Sequence, residues 1–397
     1  MPIFNSKKSI PNLPCTKIAL CYHFFPHYRK GIIEEILKEL PVDFVGDDKG
    51  VEGIKTFNFP NSKSFSIAKC TYFGKLMFQP KILWIALTGN YSTYIFLANP
   101  NHITTWMGAA ICRIRNKRVV FWGHGFKSQN QTKSNKIRKA FFSLANAFYT
   151  YGYNAKKNAL SMGFNEKDIH VGFNSLDYSS QISVRNHLQY KPLKSTSLPD
   201  TLNISCISRL TYTCRYDLLF DAIALAQKSS SVNYKVTIIG DGPERLALEN
   251  QAKKLEINSV FLGPIYEEQK IAEILYNSDV TISPGKIGLT AMHSLMYGTP
   301  VISHDDIVSQ MPEVEAIIPG RTGELFRHND LDSLTETLIS FPTRFRDRNK
   351  TRNSCFAMMD RIYNPKKQLD VLKMAIDNIP ATKGDDAFNL FNDEIHK

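Results

Sequence analysis

Between Ile282 and Ser303 the chain reads ISPGKIGLTAMHSLMYGTPVIS, a stretch that can fold in few ways. A β-branched run from Val280 ends at Ser283, and Pro284 with Gly285 breaks it. Gly288 lets backbone come close to a neighbour just before Leu289 to Met296 turns helical. Gly298-Thr299-Pro300 then ends the helix, because glycine takes the left-handed cap and proline cannot continue it; Val301-Ile302-Ser303 starts another strand. The first helical turn offers free N–H groups and the positive end of the helix dipole, which together suit a diphosphate. Taken alone, the stretch reads equally well as an ordinary α/β crossover.

Two further strand-to-loop-to-helix units precede it. Lys235 to Ile239 is an apolar strand pattern running into Gly240-Asp241-Gly242-Pro243-Glu244-Arg245, and Pro243 marks a helix start. Asn203 to Ser208 is another strand, followed by Arg209-Leu210-Thr211-Tyr212-Thr213-Cys214-Arg215-Tyr216-Asp217 and an apolar helix from Leu218. Three such units aim glycines and arginines at one edge of a parallel sheet, the edge where open α/β sheets bind ligands. Neither Gly240 to Gly242 nor Gly285 to Gly288 completes G-x-G-x-x-G, and no acidic ribose partner follows, so a dinucleotide-dependent dehydrogenase is disfavoured.

These elements resemble the GT-B glycosyltransferases, most closely the large retaining family 4. The matching pieces are Ser208-Arg209-Leu210 with Arg215, Gly240-Asp241-Gly242-Pro243, Phe261-Leu262-Gly263-Pro264, the stretch from Ile282, and Pro319-Gly320-Arg321-Thr322-Gly323-Glu324-Leu325. Each is a weak signal, but five in order with the right gaps are a strong one. The resemblance implies an α/β chain of two Rossmann-like domains facing across a cleft. It places an acceptor domain at 1–182, a nucleotide-sugar donor domain at 199–364, and a crossing helix with tail at 365–397. The hinge is expected between about 180 and 202, where the sequence is polar and aperiodic.

Departures from the family pattern bear on the chemistry. The family usually carries two glutamates eight positions apart, for sugar and ribose hydroxyls; here Gly285 and His293 stand there. Histidine can hydrogen-bond a diol and glycine cannot by side chain. The usual lysine position is Cys214, with Arg215 next, so two arginines would clamp the diphosphate, and guanidinium forks can hold phosphate oxygens bidentately. The resemblance thus implies Arg209 and Arg215 as leaving-group clamps. It adds Gly240, Gly242, Pro264, Gly285, Lys286, Gly288, Leu289, Thr290 and His293 as the donor site. Lys286 equally reads as a solvated loop lysine, and Glu313 as a solvated loop carboxylate.

In the first half, Thr16 to Tyr22 reads as a strand, and a loop with His27, Arg29 and Gly31 enters the helix Ile32 to Leu40. In the family this loop faces donor or acceptor across the cleft. Arg118 to Gly125 is a strand ending in His124 between two glycines, which the resemblance puts near the transferred sugar. Tyr149 to Tyr153 and Val171 to Asp177 resemble the family's last strands of that domain.

Composition bounds the rest. The 397 residues, with no repeat or low-complexity tract, suit two domains. Seven cysteines without C-x-x-C spacing argue against a disulfide framework or zinc site and for a reducing compartment. Neither a signal peptide nor a membrane span is legible, so a cytoplasmic place is expected, peripheral on the inner face of the plasma membrane. A net charge of +12 asks for an anionic partner, and no nucleic-acid module is recognisable. Two basic-aromatic stretches suit an anionic leaflet: Lys127 to Tyr153, read as a helix with Phe141, Phe142, Leu144 and Phe148, and Lys75 to Trp84. No cofactor or metal is expected, since the implied reaction needs none. The resemblance implies retaining transfer of a sugar from a nucleotide-diphosphate sugar to a glycan or lipid-linked acceptor in bacterial surface polysaccharide assembly. A non-catalytic nucleotide-sugar-binding protein and a nucleotide-sugar epimerase on the same fold remain alternatives.

Overall fold

The computed structural model describes residues 17–51, 54–60, 62–126, 133–189 and 201–381. In chain order the elements are β1 (Ile18–Phe24), α1 (Lys30–Glu39), β2 (Val42–Asp47), β3 (Phe65–Ile67), β4 (Thr71–Phe73), β5 (Leu76–Phe78), α2 (Pro80–Thr88), β6 (Thr93–Leu97), α3 (Ile103–Ile114), β7 (Arg118–Gly123), α4 (Lys133–Phe142), β8 (Ala147–Thr150), α5 (Tyr153–Ser161), β9 (Ile169–Val171) and α6 (Tyr178–Gln189). There follow β10 (Thr201–Ile207), α7 (Tyr216–Ser229), β11 (Asn233–Ile239), α8 (Arg245–Lys254), β12 (Asn258–Gly263), α9 (Glu268–Asn277), β13 (Val280–Ser283), α10 (Leu289–Met296), β14 (Val301–His304), β15 (Gly323–Phe326), α11 (Leu331–Arg344), α12 (Arg348–Arg361) and α13 (Pro365–Ile376). The chain groups into two compact units, one of 1–27, 36–122 and 137–146, the other of 28–35, 123–136 and 147–397.

In the first unit, parallel strands lie in the order β3-β2-β1-β6-β7. Runs such as Ile18-Ala-Leu-Cys-Tyr and Thr93-Tyr-Ile-Phe-Leu are apolar without alternation, as strands covered on both faces require. Aromatic rings fill the space between layers: Phe25, Phe44, Phe59 and Phe65 make one group, and Phe96, Phe121 and Phe141 another. Lys127 lies outside the described residues. Phe141 and Phe142 on α4 are buried and Phe148 is on β8, also buried, so the helix expected to lay these aromatics on a membrane instead spends them on packing. Rings of this size, surrounded by sheet residues, gain more from the dry interior than from an interface.

In the second unit, six parallel strands lie in the order β12-β11-β10-β13-β14-β15, and β8 pairs in parallel with β9. Helices α7, α8 and α11 cover one face of the six-stranded sheet through Leu219, Phe220, Ile223, Leu248, Leu334 and Leu338. Helices α9, α10 and α12 bury Leu275, Met292, Leu295, Met296, Met358 and Met359 in a second core. A chain of buried hydroxyls fixes α10 on the sheet. Ser294 Oγ donates to Thr299 O at 2.8 Å and shares a hydrogen bond with Thr281 Oγ1 at 2.6 Å, and Thr299 Oγ1 donates to Leu275 O at 2.6 Å. Each such bond keeps a buried polar group satisfied, which is why Thr299 sits in the middle of the helix-ending turn. The expected left-handed cap is present, with Gly298 at φ +74°.

The hinge region is partly corrected. Residues 190–200 are outside the described set, but the residues up to Gln189 are helical, in α6. Arg185 holds α6 in place, donating to both Asp360 carboxylate oxygens at 2.9 Å with its guanidinium 4.5 Å from the Phe356 ring centre. Helix α13 packs on β8 and β9, where Tyr149 donates to Gln368 O at 2.9 Å. The tail from 382 lies outside the described residues.

Candidate active site

The carboxyl ends of β10 to β14 bring most of the expected donor-site residues to one edge of the six-stranded sheet. Loop 208–215 after β10 carries Arg209, whose side chain is exposed and makes no hydrogen bond or ion pair among the described residues. Leu210 N donates to Asp241 O, and Glu244 N donates to Leu210 O, so this loop lies directly on the turn after β11. A Cβ at Gly240 would collide with Ser208 O and one at Gly242 with Leu210 O. Close approach of two loops therefore accounts for both glycines, and Gly240 also holds φ +134°. Pro264, just after β12, is exposed to solvent.

The same kind of crowding explains Gly285. Its N–H donates to Cys214 O at 3.0 Å, and a Cβ there would collide with Thr213 O. No glutamate can stand at this position while the loop keeps its course. Cys214 is buried, its thiol donating to Arg209 O at 2.8 Å, and it takes over none of a lysine's charge. Arg215, at φ +56°, turns its Nε to the Asp217 carboxylate at 3.1 Å and an Nη to Asn329 Oδ1. Of the two arginines expected to clamp a diphosphate, Arg209 is open and Arg215 is already paired.

Helix α10 begins at Leu289, after Gly288. Its first N–H groups have no partner within the helix, as at any helix start, and the Leu289 and Thr290 amides make no hydrogen bond among the described residues. Thr290 Oγ1 donates to Ile207 O at 3.1 Å, which ties the helix start to the end of β10. The side chain of Lys286 is exposed and without an ionic partner among the described residues.

His293, one turn further on, is committed to a neighbour. Its Nε2 lies 2.8 Å from Glu268 Oε1 at the start of α9, and that oxygen also accepts from Gln181 at 3.1 Å and from Tyr297. Burial pushes the Glu268 carboxyl up, yet the bonds from His293 and Tyr297 outweigh it and hold the group below its ordinary value.

A pocket of about 140 Å³ opens beside this edge, lined by His124, Phe126, Gly152, Asn154 and Ala155 and by Lys286 with residues 307–312, Val314 and Glu315. His124 is exposed and packs edge-on against Tyr151, ring centres 5.0 Å apart, and Tyr151 OH is bonded to Arg29 Nη2. Lys30 pairs with Asp177 at 2.8 Å. At Gly31 a Cβ would stand 2.6 Å from Leu176 O, so close packing explains that glycine. His27, in the first unit, bonds to Lys55 O through Nδ1 at 3.1 Å.

Four residues that sequence reasoning passed over or misread shape this site. Gln310 accepts from Ile287 N at 2.8 Å and donates to Ser303 Oγ at 2.8 Å and His304 O at 3.1 Å, bracing the glycine-rich turn. Glu315 is buried and caps α5, accepting from Tyr153 N at 2.7 Å and Asn154 N at 2.8 Å. Glu313 is not a solvated carboxylate: it is 3% exposed, accepts from Asn174 at 3.0 Å, and burial pushes its carboxyl up. His304 ends β14, almost wholly buried. Burial first, then the nearby His328 and Lys286, pushes its imidazole down to about 4, and Nδ1 accepts from Asp306 N at 3.2 Å. A histidine at a strand end was the only one of these signals in the sequence; the rest sit in an aperiodic loop. Among the described residues no group of histidine, cysteine, aspartate and glutamate has the arrangement to hold a metal ion.

The model of the family described as glycosyl transferases group 1 matches residues 194–355. The fold is GT-B, and residues 194–355 resemble the group 1 glycosyltransferases. Its similarity to solved structures is one of fold. The lipopolysaccharide outer core galactosyltransferase WaaB superposes with a TM-score of 0.63 at 15% identity, covering 91% of this chain and 99% of that one. Anabaena Alr3699/HepE, solved in complex with UDP, gives 0.63 at 16%, covering 91% and 100%. The putative UDP-N-acetylglucosamine 2-epimerase from Listeria monocytogenes gives 0.56 at 14%, covering 92% and 98%. No curated protein sequence matches the chain. The family match covers the sheet edge described above, from loop 208–215 to the loop after β14.

Proposed function

We propose that this chain is a glycosyltransferase that moves a sugar, with retention, from a nucleotide-diphosphate sugar to a glycan or lipid-linked acceptor in bacterial surface polysaccharide assembly, at the inner membrane face. The observation that carries the reading is the open Arg209 guanidinium at the same sheet edge as Lys286 and the free first-turn amides of α10. Charge develops on the leaving diphosphate as the sugar's anomeric bond breaks, and preorganised donors aimed there supply the largest share of rate enhancement in such sites. Arg209, Lys286 and the amides of Leu289 and Thr290 meet that charge without a metal ion. His124, lining the adjoining pocket, faces the transferred sugar. His293 acts on the donor through Glu268, whose held carboxylate presents an acceptor for hydroxyls. The UDP complex of HepE and the galactosyl transfer named for WaaB support a nucleotide sugar and a surface glycan.

The test is thermal-shift titration with UDP, GDP, dTDP and CMP, with Arg209→Ala alongside. A ligand at ~100 times its dissociation constant adds about 2.7 kcal/mol to stability. Stabilisation by one diphosphate, lost in the variant, is expected. Stabilisation by none would overturn the proposal, and stabilisation without turnover of the matching donor sugar would return the non-catalytic reading. Product analysis without acceptor separates an epimerase, which would convert the donor alone.

A further inference from the structure

We infer that the hairpin β4–β5 and helix α2 in the first unit form a docking surface for an anionic lipid leaflet. Residues 71–76 are all exposed, and three of the six are large apolar side chains: Tyr72, Phe73 and Leu76. Phe73 is 65% exposed at the hairpin tip, where Phe73 pairs with Leu76 across the turn Gly74-Lys75. Gly74 at φ +59° makes the tight turn possible, and a side chain there would meet open space. The next residues anchor the tip: Met77 is buried and its N–H donates to Asn101 O at 2.9 Å. On α2, Ile82 and Ala86 face inward while Trp84, 66% exposed, and Leu87 face solvent. Lys81 reaches Ile67 O at 2.9 Å, so the start of α2 adjoins the exposed Ile67.

Single exposed apolar residues are ordinary, but a cluster of this kind marks a contact surface. Charge decides which. From Gly53 to Asn165 the chain has no aspartate or glutamate and sixteen lysines and arginines, so this segment carries +16 and the remainder of the +12 chain −4. Lys75, between the tip residues, and Lys81 have no carboxylate partner among the described residues. Aromatic and aliphatic side chains flanked by unpaired lysines fit the boundary of an anionic bilayer, where rings bury and ammonium groups meet phosphates. A protein partner would instead need its own carboxylates, and a nucleic acid would leave Phe73 and Leu76 without apolar cover.

This surface deepens the reading of a lipid-linked acceptor and rests on it for its purpose. Its test needs neither donor nor acceptor, so its failure leaves the nucleotide titration untouched. The full chain is sedimented with phosphatidylcholine vesicles with and without phosphatidylglycerol, and tryptophan emission is followed. Binding only to the anionic vesicles, weakening with salt, and a blue shift from Trp84 are expected. The double variant Phe73→Ser with Trp84→Ser should reduce partition about tenfold or more, as should Lys75→Glu with Lys81→Glu. Tyr266→Ser, at an exposed site of the second unit, should leave it unchanged. Trp84→Phe should bind and lose the shift. Unchanged melting curves verify that the variants fold. No binding to anionic vesicles, binding that ignores the patch variants, or equal competition by soluble polyphosphate without a shift would overturn the proposal.

Discussion

Arg209 and Gly285 carry the sharpest single-residue consequences. Arg209→Ala removes the open guanidinium from the sheet edge while leaving a solvent-exposed alanine, so folding should hold and turnover should not. A loss in kcat/KM of about 100-fold, near 3 kcal/mol of transition-state stabilisation, is expected in donor turnover. Gly285→Glu introduces the side chain usual in the family the sequence resembles, yet the space is held by the backbone of Thr213 and Cys214. It should destabilise the fold by about 2 kcal/mol or more in urea titration and raise activity not at all. Gain of activity with unchanged stability would show that the loop moves aside. The sequence signalled that positions 285, 214 and 293 break a pattern, because motif spacing is a local property. It could not say why: the cause at Gly285 is the Thr213 backbone, 72 residues earlier in the chain, seen only once two loops are placed together.

Among elements, strands and helices with strong apolar patterns were legible to within a residue or two: α10 spans Leu289–Met296 as read, and β11 adds two residues before Lys235. Loops were not. The segment after β14 reads as an aperiodic connection, but it supplies Gln310 to the glycine-rich turn and Glu315 to the start of α5. A carboxylate accepting two first-turn N–H groups stabilises a helix both as a cap and through the dipole. Glu315→Ala should therefore cost about 1 to 2 kcal/mol in urea or thermal unfolding. Glu315→Gln, which keeps one acceptor oxygen, should cost less. Equal cost from both variants would assign the effect to packing around Gly152, whose backbone the Glu315 carboxylate closely abuts. Helix α6 shows the opposite failure of reading: its polar sequence hides a fixed element, because Arg185 is satisfied by Asp360 and Phe356 far along the chain.

At the scale of the whole molecule, each unit buries a histidine held neutral. His102 in the first unit and His304 in the second are both almost wholly buried, and burial pushes each imidazole down to about 4. Their unfolded counterparts titrate near 6.5, so between those values the unfolded chain binds more protons than the folded one. Stability is then full above about pH 6.5 and is lost as pH falls toward 4, by about 1 kcal/mol per pH unit for each histidine within the window. Glu313, whose carboxyl burial pushes up, works in the opposite sense at the acid end. The slopes of variants therefore isolate the histidines better than the slope of the wild type does. Urea midpoints at pH 7.5, 6.5 and 5.5 should fall with acid for the wild type, less steeply for His102→Asn or His304→Asn, and least for the pair. Because the two residues lie in different units, their effects should add if the units unfold together. If they unfold apart, each variant should flatten only its own transition, and parallel slopes for all four proteins would show that neither histidine is held neutral by the fold.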